Sequence, residues 1–242
     1  MNFKNLFAAG VGALVAVGLV LSINAYSAGD GNITNVERAS VQLLMENGSC
    51  SGTVIKDPDL SDGEQVTILT AKHCTTSVNE LIQVPIQLFD VYGVPANVKL
   101  FDFTVTKQSA DSDVAIIQAP LNEKTKEFVE MTNPINIYGG EVEFGQTIWA
   151  TGFPLGFGEV IVKGTAGYLE VLPNGWSKSN LFQRATFSIA PGISGGAMFV
   201  ETFRGFEIVG VTTGMFNGTD YAIMSPLSEI KTFLKEPIGF YK

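Results

Sequence analysis

The sequence predicts an all-β protein with two groups of six short strands and one closing helix. Three observations carry that prediction. Short runs rich in β-branched and aromatic residues recur along the chain, and Gly, Pro, Asn and Asp separate them. That pattern fits antiparallel sandwiches or barrels and argues against alternating βαβ units. A polar, charged stretch at 121–133 then divides the runs into two sets, which points to a two-barrel architecture. No internal repeat and no low-complexity tract interrupts the scheme.

The first set comprises "SVQLLM" (40–45), "SGTVI" (51–55), "VTILT" (66–70), "LIQVPIQLF" (81–89), "VKLFDFTV" (98–105) and "DVAIIQ" (113–118). The second comprises "TIWATG" (147–152), "EVIVKG" (159–164), "FQRATFS" (182–188), "GAMFV" (196–200), "FEIVGVTTG" (206–214) and "DYAIM" (220–224). A first barrel is expected over 29–120 and a linker over 121–140, with the second barrel and the helix over 141–242. For that helix, Ser225 is the expected N-cap and Pro226 lies in the first turn. Leu227, Ile230, Phe233 and Leu234 share one face, and Pro237 stops the run.

Residues 1–28 are set apart. Lys4 precedes an apolar segment from Leu6 to Ile23, and small residues follow at Ala25, Ser27 and Ala28. This is the layout of a secretory signal cleaved after Ser27 or Ala28. A retained anchor is the alternative, since about 18 apolar residues can span a bilayer. Cleavage leaves about 214 residues, enough for one large all-β domain or two small ones. Without Lys4, 14 basic residues face 24 acidic ones. Such a surface repels phosphate backbones and anionic lipid, so neither nucleic acid nor a stable membrane association after signal cleavage is expected.

Cys50 and Cys74 are the only cysteines, and an exported chain would join them in one disulfide. The enclosed loop makes that bond worth roughly 3 kcal/mol in the chain-entropy model. No metal and no cofactor is expected, because two cysteines and one histidine without CxxC spacing fall short of a structural zinc site. A cysteine nucleophile served by its neighbour His73 is disfavoured, since adjacent residues of an extended segment face opposite ways.

His73 is the only histidine. A lone histidine is more often a satisfied core or surface residue than a catalyst, so other motifs must argue for it. "GISGG", Gly192 to Gly196, fits a serine nucleophile in a glycine-rich turn, where φ > 0 is allowed and main-chain N–H groups are open to a substrate carbonyl. The same letters fit the nucleophile elbow of esterases. That fold needs a histidine after the serine, and none follows Ser194. An acid–histidine–serine order would need a parallel α/β sheet. The order histidine, acid, serine remains, with Asp90, Asp102, Asp111 and Asp113 between His73 and Ser194. Asp113 is preferred because it opens the buried run "DVAII"; Asp102 is the fallback.

Together, "LTAKHC", "SDVAII" and "GISGG" resemble the histidine, aspartate and serine motifs of the trypsin-like (chymotrypsin-fold) serine proteases. "WATGFPLGFGEVIVKGTAGYLE" resembles the bacterial branch that includes HtrA and glutamyl-endopeptidase relatives. The resemblance spans roughly 37–235 and is sharp only at the three motifs. It implies two six-stranded antiparallel β-barrels of the chymotrypsin fold with a C-terminal helix, and a catalytic set of His73, Asp113 and Ser194. It also implies an oxyanion hole from the N–H groups of Gly192 and Ser194, with the Cys50–Cys74 disulfide pinning the histidine's loop. Ser188 would form the base of the specificity pocket and Ile189, Thr213 and Gly214 its walls. Thr212 would touch the aspartate, and 212–214 would pair with extended substrate.

The implied activity is that of a secreted or periplasmic serine endopeptidase acting as a monomer on protein or peptide substrates. A silent pseudoprotease used as a binding protein is the alternative, and three intact motifs argue against it. Departures from the family matter. Ile193 replaces the aspartate that pairs with a freed amine in animal members, so clipping beyond signal removal is not expected to be needed. No PDZ domain is expected after the protease, and the sequence offers no second histidine to meet glutamate. A serine-based pocket suits an uncharged residue, unless Asp220 lines the back wall and invites a basic one.

Overall fold

The first six strands close on themselves because each carries a buried apolar row that one partner alone cannot cover. The computed structural model describes residues 33–45, 48–56, 65–89, 95–171, 181–216, 219 and 221–236. The expected signal segment, Asp90 and Asp220 lie outside them. The strands are β1 (Ser40–Met45), β2 (Gly48–Lys56), β3 (Gln65–Thr70), β4 (Leu81–Phe89), β5 (Pro95–Gln108) and β6 (Ala115–Pro120). They pair in the order β1-β4-β5-β6-β3-β2, and β1 pairs with β2 to complete the barrel. Leu43, Ile68, Ile82, Phe101, Phe103 and Ile117 are among its fully buried side chains. A two-residue strand, β7 (Ile135–Asn136), adds to β2 in parallel.

The second barrel repeats the scheme with β8 (Thr147–Gly152), β9 (Val160–Val171), β10 (Leu181–Thr186), β11 (Ala197–Thr202), β12 (Gly205–Met215) and β13 (Tyr221–Pro226). It closes in the order β10-β13-β12-β11-β8-β9. Its core gathers Ile148, Ala150, Ala166, Phe187, Met198, Val209 and Met224. Neither barrel has an open edge to manage, which suits strands this short. The compact unit that begins at Asn35 holds both.

Two helices appear where the sequence reading has none. The first, α1 (Ile33–Ala39), leads into β1 and buries Val36 and Ala39. The second, α2 (Glu123–Met131), falls in the expected linker. Asn122 caps it by accepting the N–H groups of Lys124 and Thr125, while the Thr125 hydroxyl accepts the Asn122 N–H. One side chain justifies the helix. Phe128 meets Phe101 and Phe103 edge-on at 5.2 and 5.1 Å, pairs worth about 0.5–1.5 kcal/mol each beyond burial.

The closing helix, α3 (Leu227–Lys235), buries Leu227, Ile230 and Phe233. The expected Ser225 cap is corrected. Pro226 occupies the N-cap position with no side-chain bond, and Ser225 still belongs to β13. Strand pairing with β12 (Val211↔Ser225, Gly210↔Pro226) outcompetes the cap. At the far end of α3, buried Lys107 donates to the carbonyls of Phe233 and Glu236, so a first-barrel side chain caps the helix C-terminus. Among the described residues no helix is long and apolar enough to cross a membrane.

Candidate active site

β3 ends at Thr70, and the chain turns at once into a single 3₁₀ turn, Lys72–Cys74. The Cys74 N–H donates to Ala71 O at 3.2 Å, and the Thr75 N–H to Lys72 O at 2.9 Å. A disulfide from Cys74 to Cys50, with Cα atoms 6.0 Å apart, ties the turn to β2. His73 projects from this fixed turn and stays about half exposed. Asp113 grips it twice: Oδ1 accepts the His73 backbone N–H at 2.9 Å, and Oδ2 lies 2.7 Å from Nδ1. A carboxylate at Nδ1 favours the proton there, so the neutral form of the ring would present its lone pair at Nε2.

Asp113 is itself held. It sits in the turn before β6, where the Ser109 N–H donates to Val114 O and Ser112 donates to the Ser109 hydroxyl. Lys72 Nζ donates to Ser109 O at 2.5 Å, and the Ser225 hydroxyl reaches Asp113 O at 3.4 Å. Asp102, the fallback, lies elsewhere on β5, accepting from Gln83 and facing Lys124 at 3.8 Å. Thr212, expected beside the aspartate, is buried, and its hydroxyl finds no hydrogen-bond partner among the described residues.

Ser194 lies in a turn made possible by two glycines. Ala190 O accepts the Ile193 N–H at 3.2 Å, with Pro191 second and Gly192 third at φ 99°, the residue pattern of a type II turn. Gly195, at φ 85°, is wedged against the first barrel: an added Cβ would meet Ser51 O at 2.2 Å and Thr70 Oγ1 at 2.3 Å. That close approach sets Ser194 beside the end of β3, two residues before the histidine turn. The Ser51 N–H also donates to Ser194 O at 2.7 Å. Among the described residues the N–H groups of Gly192 and Ser194 find no protein acceptor. His73 and Asp113 are thus directly bonded. Ser194 is tied to the first barrel through its carbonyl, which accepts the Ser51 N–H, and among the described residues its hydroxyl makes no hydrogen bond to the imidazole.

Ile193 is buried, and an added Cβ on Gly152 would meet its Cγ1 at 2.6 Å. An apolar side chain packed there offers nothing to an amine. The specificity candidates divide. Ser188 is exposed and Gly214 half-buried. Thr213 is buried at a bulge, its hydroxyl donating to Ile223 O at 3.3 Å. Ile189 packs against the second-barrel core. Cys50, His73 and Cys74 offer ligand-type atoms within 4.8 Å of one another, but both sulfurs are committed to the disulfide.

Sequence reasoning missed Ser51 and Leu155, which support the serine turn from outside. Leu155 takes φ 56° and donates its N–H to Pro191 O at 2.6 Å. Both contacts link residues distant in the chain, and no local pattern announces them.

One carboxyl near this loop is out of its ordinary range. Burial pushes the Glu159 carboxyl well up, the charge of Glu37 adds to that, and a hydrogen bond from Ser40 opposes it. Burial also raises Glu37. Glu159 Oε1 is sealed from solvent with no partner among the described residues. The sign follows: as pH rises past the ordinary carboxyl range the unfolded chain ionises first, so folding stability falls with pH. Glu159→Gln, neutral at every pH, is expected to melt above the wild type at about pH 8 and close to it at about pH 4. Thermal melts of both proteins across that range check this; equal destabilisation at every pH would contradict it.

A family model described as the trypsin-like peptidase domain matches residues 50–211, more than half of the chain. No curated protein matches the sequence. Several solved structures share the fold. The active form of the Rv3671c protease from M. tuberculosis superposes with a TM-score of 0.63 at 17% identity, covering 88% of this chain and 86% of that one. The serine endoprotease from Yersinia pestis gives 0.58 at 20% identity, covering 83% and 63%. The HtrA-type protease AlgW with tripeptide gives 0.60 at 17%, covering 84% and 62%. The chain therefore spans somewhat under two thirds of those last two proteins. At such identities the likeness concerns the fold, and it is the family match, on the motif-bearing residues themselves, that makes the chain a member of the trypsin-like peptidase family.

Proposed function

We propose that the chain is a secreted serine endopeptidase that cleaves peptide bonds through an acyl-enzyme on Ser194. One observation carries the reading: Asp113 bonds both the backbone N–H and Nδ1 of His73, beside a glycine turn that carries a serine. Ser194 Oγ attacks the scissile carbonyl while His73 Nε2 takes its proton. Asp113 keeps the imidazole oriented and stabilises the imidazolium. The N–H groups of Gly192 and Ser194 receive the oxyanion, each worth about 3–4 kcal/mol of barrier lowering. His73 then protonates the leaving amine, and water, deprotonated by the same nitrogen, releases the acyl group. The Ser194–His73 hydrogen bond that this step uses is expected to form in the Michaelis complex, where such bonds often tighten. The disulfide supports an oxidising, extracytoplasmic compartment.

Ser194→Ala and His73→Ala are each expected to lower peptide turnover by more than about 10⁴-fold while melting like the wild type, because the residues act as a unit. Near-normal turnover in folded Ser194→Ala would end the assignment. Ser188, Ile189, Thr213 and Gly214 are the pocket candidates, none charged. We therefore expect cleavage after small or medium uncharged residues. A peptide library varied at that position reads this directly, and cleavage mainly after Arg or Lys would contradict it and point to Asp220.

A further inference from the structure

Each carbonyl from Pro191 to Ser194 accepts a hydrogen bond, and Ser51 supplies two of the four. Ser51 lies fully buried in β2. Its hydroxyl donates to Gly192 O at 2.7 Å, and the same oxygen accepts the Phe153 N–H at 2.9 Å. Its backbone N–H holds Ser194 O, and its own carbonyl accepts from the Thr70 hydroxyl at 2.8 Å. Ser51 thus has no polar atom to spare.

The geometry of the trans peptide gives this arrangement a consequence. C=O and N–H of one peptide point in opposite directions. The Gly192 N–H shares a peptide with Pro191 O, which Leu155 holds at 2.6 Å; the Ser194 N–H shares one with Ile193 O, which the Gly196 N–H holds at 3.0 Å. Gly192 is the soft point, because a glycine at φ 99° can flip its flanking peptides with little steric resistance. The Ser51 hydroxyl fixes the carbonyl on one side of Gly192. Through Phe153 it also fixes the start of the 153–155 segment, whose Leu155 N–H fixes the other side.

We infer that Ser51 is a positioning residue for the oxyanion site: its hydroxyl, bridging Phe153 N–H and Gly192 C=O, keeps the Gly192 N–H aimed at the oxyanion. The inference rests on the reading of Ser194 as the nucleophile. Ser51 touches no substrate and acts through Gly192. Its loss leaves a donor and an acceptor unpaired in the seam and frees the Gly192 peptides to turn. The effect therefore falls on the tetrahedral state and not on substrate docking.

The test uses the full chain with Ser51→Ala, one peptide substrate, the matching peptide aldehyde, and the matching unreactive peptide amide. We expect kcat to fall about 10- to 100-fold with KM within about two-fold, somewhat less than outright loss of an oxyanion donor. Affinity for the aldehyde, whose adduct carries an oxyanion, should fall in parallel, while affinity for the amide holds. Wild-type kcat and aldehyde affinity in folded Ser51→Ala would overturn the inference, as would equal loss for aldehyde and amide. If Ser51→Ala melts below the assay temperature, an amide-to-ester replacement of the Phe153 N–H cuts the other end of the bridge and is read the same way. Ser194→Ala separates the two claims: if it is active, the nucleophile reading fails, whereas inactive Ser194→Ala beside fully active Ser51→Ala removes only the positioning role.

Discussion

A single main-chain hydrogen bond, from the Ser51 N–H to Ser194 O at 2.7 Å, joins the two barrels where the proposed chemistry needs them joined. The histidine and aspartate come from one barrel and the serine from the other, so neither barrel holds a complete site. Coulomb attraction cannot set their spacing, because Ser194 is neutral and the imidazole is proposed to start neutral. Packing has to do it. Gly195 serves that end: with no Cβ it comes within contact of Ser51 O and the Thr70 hydroxyl, a distance no other residue tolerates.

Around that seam the supports fall into two groups. On the histidine side, the disulfide and the 3₁₀ turn fix the backbone, and Asp113 fixes the ring. On the serine side no covalent bond helps, and hydrogen bonds from Ser51, Leu155, Gly196 and Thr212 hold the turn. The second arrangement is softer, since each bond adds only about 1 kcal/mol net. Leu155, at a positive φ that leucine disfavours, is strained in a position where its N–H is needed. Glu159 ends the same loop with a buried carboxyl, another local cost.

The strands were legible because alternation and turn residues act locally: all twelve apolar runs become strands. What failed was equally physical. Helix α2 is mostly charged, with only Thr125 and Phe128 buried, so no apolar stripe marks it. Its recognition depends on Phe101 and Phe103, twenty-odd residues earlier in the chain. Ser225 reads as a cap on local chemistry, yet strand pairing claims it first. At the site, His73 and Asp113 could be paired from chain order and motif, and the structure sets them in contact. Ser51 and Leu155 could not be found that way, because their importance lies in carbonyls more than thirty residues away.

The central claim is that Ser194 is a nucleophile activated by His73. Labelling the folded protein with a fluorophosphonate and mapping the adduct by peptide mass spectrometry tests it most directly, since the reagent needs both an activated serine and donors for the phosphoryl oxygen. The account predicts one adduct per chain, on Ser194, and none after His73→Ala. An unlabelled wild-type protein, or an adduct on any other residue, would contradict it.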